Sequence, residues 1–185
     1  MSESQAATPT PSDSAGTAGA ATALPTSPDQ LLARLTELGI ASKTVDHDAV
    51  FTVEEAKALR GELSGGHIKN LFLRNKKEEM WLVVVEEDKR IDLKALGERL
   101  GAGKLSFGSP DRLMTYLGVL PGAVTPFSVI NDKAGKVTLV LDADLMALDP
   151  VNCHPLVNTK TTALAPQDLV RFLEAEGHKP QIVSL

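Results

Sequence analysis

Cysteine is nearly absent from these 185 residues: Cys153 stands alone. A single thiol excludes an internal disulfide framework and any multi-cysteine metal site, and it fits a reducing compartment, so a cytoplasmic protein is expected. Basic residues are missing from positions 1–26, MSESQAATPTPSDSAGTAGAATALPT, which are mostly Ala, Thr, Ser and Pro with two acids. Without a positive n-region the segment is no secretory signal, and without arginine it is no transit peptide. Such a composition buries too little apolar surface to offset the entropy of ordering. Residues 1–26 are therefore expected to form a disordered tail, and 27–185 a single domain. Long apolar runs are lacking as well. The longest, Met80 to Val85, is far too short to span a bilayer, so neither a membrane nor DNA is expected as a partner.

Common chemical motifs are missing too. Leu100-Gly101-Ala102-Gly103-Lys104 partly matches a phosphate loop, but Glu98 stands where the first glycine belongs and Leu105 where a Ser or Thr belongs. The segment also follows a helix pattern, so it reads as a helix C-cap. His47, His67, His154 and His178 show no paired helical spacing, and no acid cluster completes a ligand set, so neither a metal nor another cofactor is expected. Cys153 and His154 are neighbours on an extended segment, where successive side chains point to opposite faces. They cannot form a nucleophile-base pair, and Cys153 reads as a small buried apolar residue.

Helix signals are regular. Ser27-Pro28-Asp29-Gln30 is a capping box with proline at the first helical position, followed by the stripe Leu31, Leu32, Leu35 and Leu38. A second box, Thr52 to Glu55, opens a short helix through Leu59. Asp92 caps a third helix, Ser109-Pro110 starts a fourth that stops at Gly118, and Pro166 starts a fifth that ends before Gly177. Strand patterns fall between them: Lys43 to His47 as an edge strand, Ile68 to Arg74 and Met80 to Val85 as a central hairpin, then Val137 to Leu141, Leu156 to Thr162 and a short Gln181 to Leu185. This interspersion without βαβ spacing predicts an α+β domain, a mixed, mostly antiparallel sheet with helices packed on it.

Three windows depart from ordinary packing patterns. In Gly65-Gly66-His67-Ile68-Lys69-Asn70-Leu71-Phe72-Leu73-Arg74, a lysine and an asparagine interrupt an apolar strand; Lys69 either snorkels from a strand end or has a chemical task. The loop Leu117-Gly118-Val119-Leu120-Pro121-Gly122-Ala123-Val124-Thr125-Pro126-Phe127 is unusually apolar and either packs over the core or forms a pocket wall. In Asn152-Cys153-His154-Pro155-Leu156-Val157-Asn158-Thr159 an imidazole precedes a proline that forces it extended, and it reads as either structural or catalytic.

Together and in this order, the three windows resemble the YbaK/prolyl-tRNA synthetase-associated editing family, over roughly Pro28 to Leu185. The carriers are Ile68-Lys69-Asn70-Leu71-Phe72-Leu73, the GxxxP loop Gly122 to Pro126, and His154-Pro155-Leu156-Val157-Asn158. Within the family, cysteinyl-tRNA(Pro) deacylases typically carry Ser-Gly-Gly-Lys where this chain has Asn152-Cys153-His154-Pro155, which points to the free-standing alanyl-tRNA(Pro) deacylases. The resemblance implies metal-independent hydrolysis of alanine from tRNA(Pro), with prolyl-tRNA synthetase and elongation factor as further partners. It implies catalytic roles for Lys69 and His154, Lys69 facing the Gly122 to Pro126 loop, and substrate contacts from Asn70, Gly122, Thr125, Pro126 and Asn158. The alternatives are a cysteinyl-tRNA(Pro) or other aminoacyl-tRNA deacylase, and a non-catalytic module that binds tRNA or synthetase.

The net charge of -5 is unusual for a tRNA-binding protein. Its distribution is uneven, since Arg60 to Arg112 holds eleven Lys or Arg against nine Asp or Glu. Arg74, Lys76, Lys77 and Lys104 are the candidates for phosphate or acceptor-stem contact.

Overall fold

A computed structural model describes residues 23–49, 52, 54–55 and 63–185. Eight strands form one mixed sheet: β1 Ser42–Asp46, β2 Gly66–Arg74, β3 Met80–Glu86, β4 Ser106–Phe107, β5 Val137–Asp142, β6 Val151–Cys153, β7 Lys160–Leu164 and β8 Gln181–Val183. Their order is β1-β7-β6-β2-β3-β5-β8, with β4 paired beside β2. The β1–β7, β7–β6, β2–β3 and β2–β4 pairs are antiparallel, whereas β2–β6, β3–β5 and β5–β8 are parallel. The expected α+β architecture is the one observed.

Both faces of the central hairpin are covered, and alternation sorts its side chains between two cores. Phe72, Leu82, Val84, Leu139 and Leu141 belong to the larger core, with Leu31 and Leu35 of α1 (Pro28–Glu37), Leu113 and Leu117 of α2 (Pro110–Leu117), and Leu169 and Phe172 of α3 (Pro166–Ala175). Leu73, Trp81, Val83, Val85 and Val140 face the smaller core, with Leu96 of the short helix Leu93–Arg99. A strand buried on both sides has no polar face to display, which explains the unbroken apolar run of β3.

The helix signals were read where they act. Ser27 and Gln30 bond each other's backbone amides, and Asp92 and Ser109 accept from Ala95 and Arg112. At Thr52 the box also closes, Thr52 Oγ1 accepting from the Glu55 amide at 3.1 Å; the expected continuation to Leu59 lies outside the described residues. Chain order begins earlier than expected from composition. Thr26 Oγ1 donates to Asn131 Oδ1 at 2.6 Å, and a side chain at Gly118 would strike the Pro25 ring, so residues 25 and 26 dock on the domain.

One strand assignment needs correction. Leu156 to Thr162 is not one strand: the segment is an irregular turn after β6 that enters β7 only at Lys160. Leu156 has a φ of 68°, a left-handed conformation that a strand cannot contain. A second difference is the 3₁₀ helix Pro126–Asn131, opened by Thr125 as its cap, where sequence showed only an apolar loop.

Candidate active site

Period-two alternation separates the two polar residues of β2. Asn70 lies on the side of the larger core, where its Nδ2 donates to the Val124 carbonyl at 2.9 Å and ties the strand to the Gly122–Pro126 loop. Its Oδ1 is buried without a partner. Lys69 points the other way: its ammonium donates to the carbonyl of Lys89, in the segment that follows β3. The expectation that Lys69 faces the loop is therefore corrected, because adjacent strand residues cannot share a face and Asn70 holds the loop side.

The Lys89 carbonyl is itself fixed. Lys89 Nζ pairs with Asp142 at 2.6 Å and Asp144 at 2.8 Å, and the fully buried Asp142 also accepts from the Leu185 amide at 3.2 Å. The hydrogen bond that Lys89 donates to Asp142, followed by that to Asp144, holds its ammonium above the usual lysine range.

The loop opposite Asn70 is rigid where it meets the strand. After α2, Gly118 adopts φ 63°, a left-handed cap suited to glycine, and its amide bonds back to Leu113 and Met114. Gly122, exposed with φ 87°, is the third residue of a turn closed by the Ala123 amide bonding Leu120 O at 3.1 Å. Thr125 is fully buried; its carbonyl accepts from Ser128 Oγ at 2.5 Å and from the Ser128 amide at 3.1 Å. Pro126 follows, and Phe127 anchors the segment edge-on against Phe172, with centroids 5.2 Å apart.

His154 sits just past β6 on a constrained turn. The Leu156 amide bonds the His154 carbonyl at 3.0 Å, and the left-handed Leu156, buried, represents backbone strain of about 1–3 kcal/mol that the fold must sustain. His154 Nδ1 lies 2.9 Å from the Lys160 carbonyl. A carbonyl only accepts, so Nδ1 carries the proton and Nε2 keeps its lone pair in the neutral ring. Desolvation lowers the pKa of His154 below the usual histidine value, with nearby His47 adding to the effect against the Lys160 bond. The ring is accordingly neutral at pH 7.

Sequence reasoning missed the residues around it. The His47 ring lies 6.1 Å from that of His154, with Nε2 2.8 Å from Thr161 Oγ1 and Nδ1 2.8 Å from the Asp48 carbonyl. His47 and Thr161, more than a hundred residues apart, meet through β1–β7 pairing, and no local spacing signals it. Asn158 is half-buried in the turn before β7. Cys153 is fully buried in the larger core, and desolvation pushes its thiol far above the ordinary range, as its apolar reading requires.

The basic candidates cluster at the far end of the central hairpin. Arg74 pairs with Glu78 at 3.1 Å, and Arg112 pairs with the same carboxylate. Lys76 and Lys77 are exposed at the β2–β3 turn and Lys104 between the Leu93–Arg99 helix and β4. Among the described residues, the metal-like grouping is the acidic run Glu86, Glu87 and Asp88, at least partly exposed. No helix among the described residues is long and apolar enough to cross a membrane.

Comparison with known proteins identifies the family. Residues 47–172 match the model of the aminoacyl-tRNA editing domain. The chain is 40% identical over 156 residues to the prolyl-tRNA editing protein ProX of Acetoanaerobium sticklandii, covering 84% of this chain and 95% of that protein. It is 27% identical over 151 residues to the multifunctional Ser/Thr-tRNA deacylase ProXp-y of Escherichia coli K12, covering 80% and 88%. A solved structure described as a proposed trans-editing enzyme for prolyl tRNA synthetase superposes with a TM-score of 0.64 at 24% identity, over 85% of this chain and 96% of that one. The chain belongs to the aminoacyl-tRNA editing domain family.

Proposed function

We propose that this chain clears alanine mischarged onto tRNA(Pro), acting in trans in the cytoplasm to proofread prolyl-tRNA synthetase. Membership of the editing family carries the reaction class, hydrolysis of an aminoacyl ester. The need for it is physical: a synthetase pocket shaped for proline discriminates against a smaller apolar side chain by only about 10–200-fold.

The observation that carries the site assignment is Asn70. Its amide nitrogen is committed to Val124, which leaves a buried carbonyl oxygen unpartnered where the strand meets the GxxxP loop. The α-ammonium of an aminoacyl ester supplies the missing donor. Bound there, an alanyl methyl lies against the Gly122–Pro126 loop, whose small residues leave room for it, whereas the proline ring, with its nitrogen tied back, clashes.

Hydrolysis then needs water, an oxyanion contact and a proton acceptor. Water adds to the ester carbon, the bond to the ribose oxygen breaks, and that oxygen takes up a proton as alanine leaves. His154, neutral with its Nε2 lone pair available, orients the substrate and the attacking water, aided by the neighbouring ribose hydroxyl. The Gly122 amide stabilises the oxyanion, and Thr125, Pro126 and Asn158 shape the pocket and ribose contact. Lys69, opposite Val85 on β3, releases the Lys89 carbonyl when substrate binds and contacts the terminal ribose or phosphate.

The test is single-turnover deacylation of tRNA(Pro) charged with alanine, cysteine or serine. Alanine is released fastest. No release above the spontaneous rate overturns the activity, and preferential release of cysteine or serine overturns the substrate choice. Unchanged rates in Lys69→Ala overturn the role of that lysine.

A further inference from the structure

Phe107 is 62% exposed, an unusual position for an aromatic ring in a domain whose other large apolar side chains mostly lie in two cores. It stands on β4, a two-residue edge strand paired with the far end of β2: Phe107 lies opposite Leu73 and Ser106 opposite Arg74. The backbone beneath the ring is held tightly. The Gly108 amide bonds the Phe72 carbonyl at 2.9 Å, and a Cβ at Gly108 would lie 2.5 Å from the Phe72 ring, so only glycine permits this approach. The aromatic ring is thus presented to solvent from a fixed base.

Its surroundings are basic. Arg74, Lys76, Lys77, Lys104 and Arg112 outnumber Glu78, Glu79 and Asp111 there. Contacts join these segments: Asn75 Nδ2 donates to the Ala102 carbonyl at 3.0 Å, and Glu78 bridges Arg74 and Arg112. Lys76, Lys77 and Lys104 form no ion pair among the described residues. An exposed ring amid exposed cations suits an extended polyanion whose units carry flat apolar faces. That combination is single-stranded nucleic acid, in which bases stack on aromatic side chains and phosphates meet lysines.

The free side of β4 lets the same ligand reach the ring from the ester site. From Asn70 to Leu73, the position opposite Phe107, is roughly 10 Å along β2 at about 3.3 Å per residue. Phe107, opposite Leu73, lies on the face of the sheet away from Asn70, so a strand whose ester is held at Asn70 reaches the ring by passing round the free side of β4, and the base that stacks is one further along that single strand. We propose that Phe107 is the stacking platform for a base in the single-stranded 3′ end of the tRNA, with Lys76, Lys77 and Lys104 around it as phosphate contacts. This rests on the editing reading for the position of the ester, though not for the chemistry.

The experiment is equilibrium binding of full-length protein to uncharged tRNA(Pro), intact or lacking its 3′-terminal CCA, across a salt series. Phe107→Ala weakens binding of intact tRNA by about 5- to 100-fold, the range of one aromatic-base stack, with an unchanged salt slope. Phe107→Trp restores affinity, Phe107→Leu does not, and the loss disappears with the CCA-less tRNA. Lys77→Gln with Lys104→Gln instead reduces the salt slope. Thermal melting confirms that each variant is folded, as expected for an exposed side chain. Equal affinity of Phe107→Ala and wild type overturns the proposal, as does full rescue by leucine or a loss that persists without the CCA end. If wild type binds but does not deacylate, the editing reading fails while the stacking platform stands; if it binds no tRNA, both fail.

Discussion

Replacing Asn70 by alanine separates a structural strut from a substrate contact, because the side chain does two opposing things to stability. Its Nδ2 bond to the Val124 carbonyl contributes about 0.5–1.5 kcal/mol net, and leaving that carbonyl unpaired costs about 1–3 kcal/mol unless water reaches it. Its Oδ1, buried without a partner, already carries a desolvation penalty of about 1–3 kcal/mol that the substitution removes. These terms largely cancel. The expected change in unfolding free energy is within about 1.5 kcal/mol, measured from urea midpoints at constant slope. Activity behaves differently if Oδ1 accepts from the α-ammonium of the substrate. A hydrogen bond to a charged group is worth about 1.5–3 kcal/mol, so kcat/KM for alanyl-tRNA(Pro) falls by roughly 10- to 150-fold. A variant that is destabilised by more than about 3 kcal/mol yet keeps wild-type kcat/KM refutes this reasoning, since Asn70 would then only brace the loop.

Three other perturbations follow from the same contacts. Desolvation depresses the pKa of His154, so the unfolded chain takes up its proton before the folded one does as pH falls. Stability is then fully present above about 6.5, the unfolded value, and declines as the pH drops toward the folded pKa; His154→Gln flattens this dependence in urea titrations. Deacylation, if it uses the neutral ring, persists to pH values somewhat below 6.5, and a rate profile with its acid limb above that value argues against His154 as the titrating group. Phe127→Ala removes a fully buried ring from its edge-on contact with Phe172 and costs about 3–5 kcal/mol; a loss under about 1 kcal/mol would mean that the loop anchor lies elsewhere.

Much of the fold was legible because its signals are local. Capping boxes at Ser27 and Thr52, the proline-led helices and the Met80 to Val85 run each need only a few consecutive residues, and each was found in place. The failures share a cause. Leu156 to Thr162 has strand composition, but the chain turns at Leu156 to set the His154 ring, a strained arrangement sustained by tertiary contacts that propensity does not encode. The environment of His154 was equally hidden, because His47 and Thr161 reach it only through β1–β7 pairing. The order of the seven-strand path likewise depends on parallel pairings between segments far apart in sequence.

The position of Lys69 shows how a motif can be read correctly as a set of residues and wrongly as a surface. Lys69-Asn70 is one dipeptide, yet its two side chains join different networks: Lys69 with Lys89, Asp142 and the Leu185 amide, and Asn70 with Val124 and the GxxxP loop. Energetic coupling should follow contacts and not sequence distance. Double-mutant cycles on unfolding free energy test this. Lys69→Met couples to Asp142→Asn by about 0.5–3 kcal/mol, because removing the Lys89–Asp142 pair releases the segment whose carbonyl holds Lys69. Lys69→Met and Asn70→Ala, although adjacent, add within about 0.5 kcal/mol. If the adjacent pair instead couples strongly and the distant pair is additive, Lys69 turns toward the loop in solution and the ester carbonyl becomes its target. If the cycles come out as expected but Lys69→Met still abolishes deacylation, the lysine leaves the Lys89 carbonyl only when substrate arrives, and its catalytic position forms on binding.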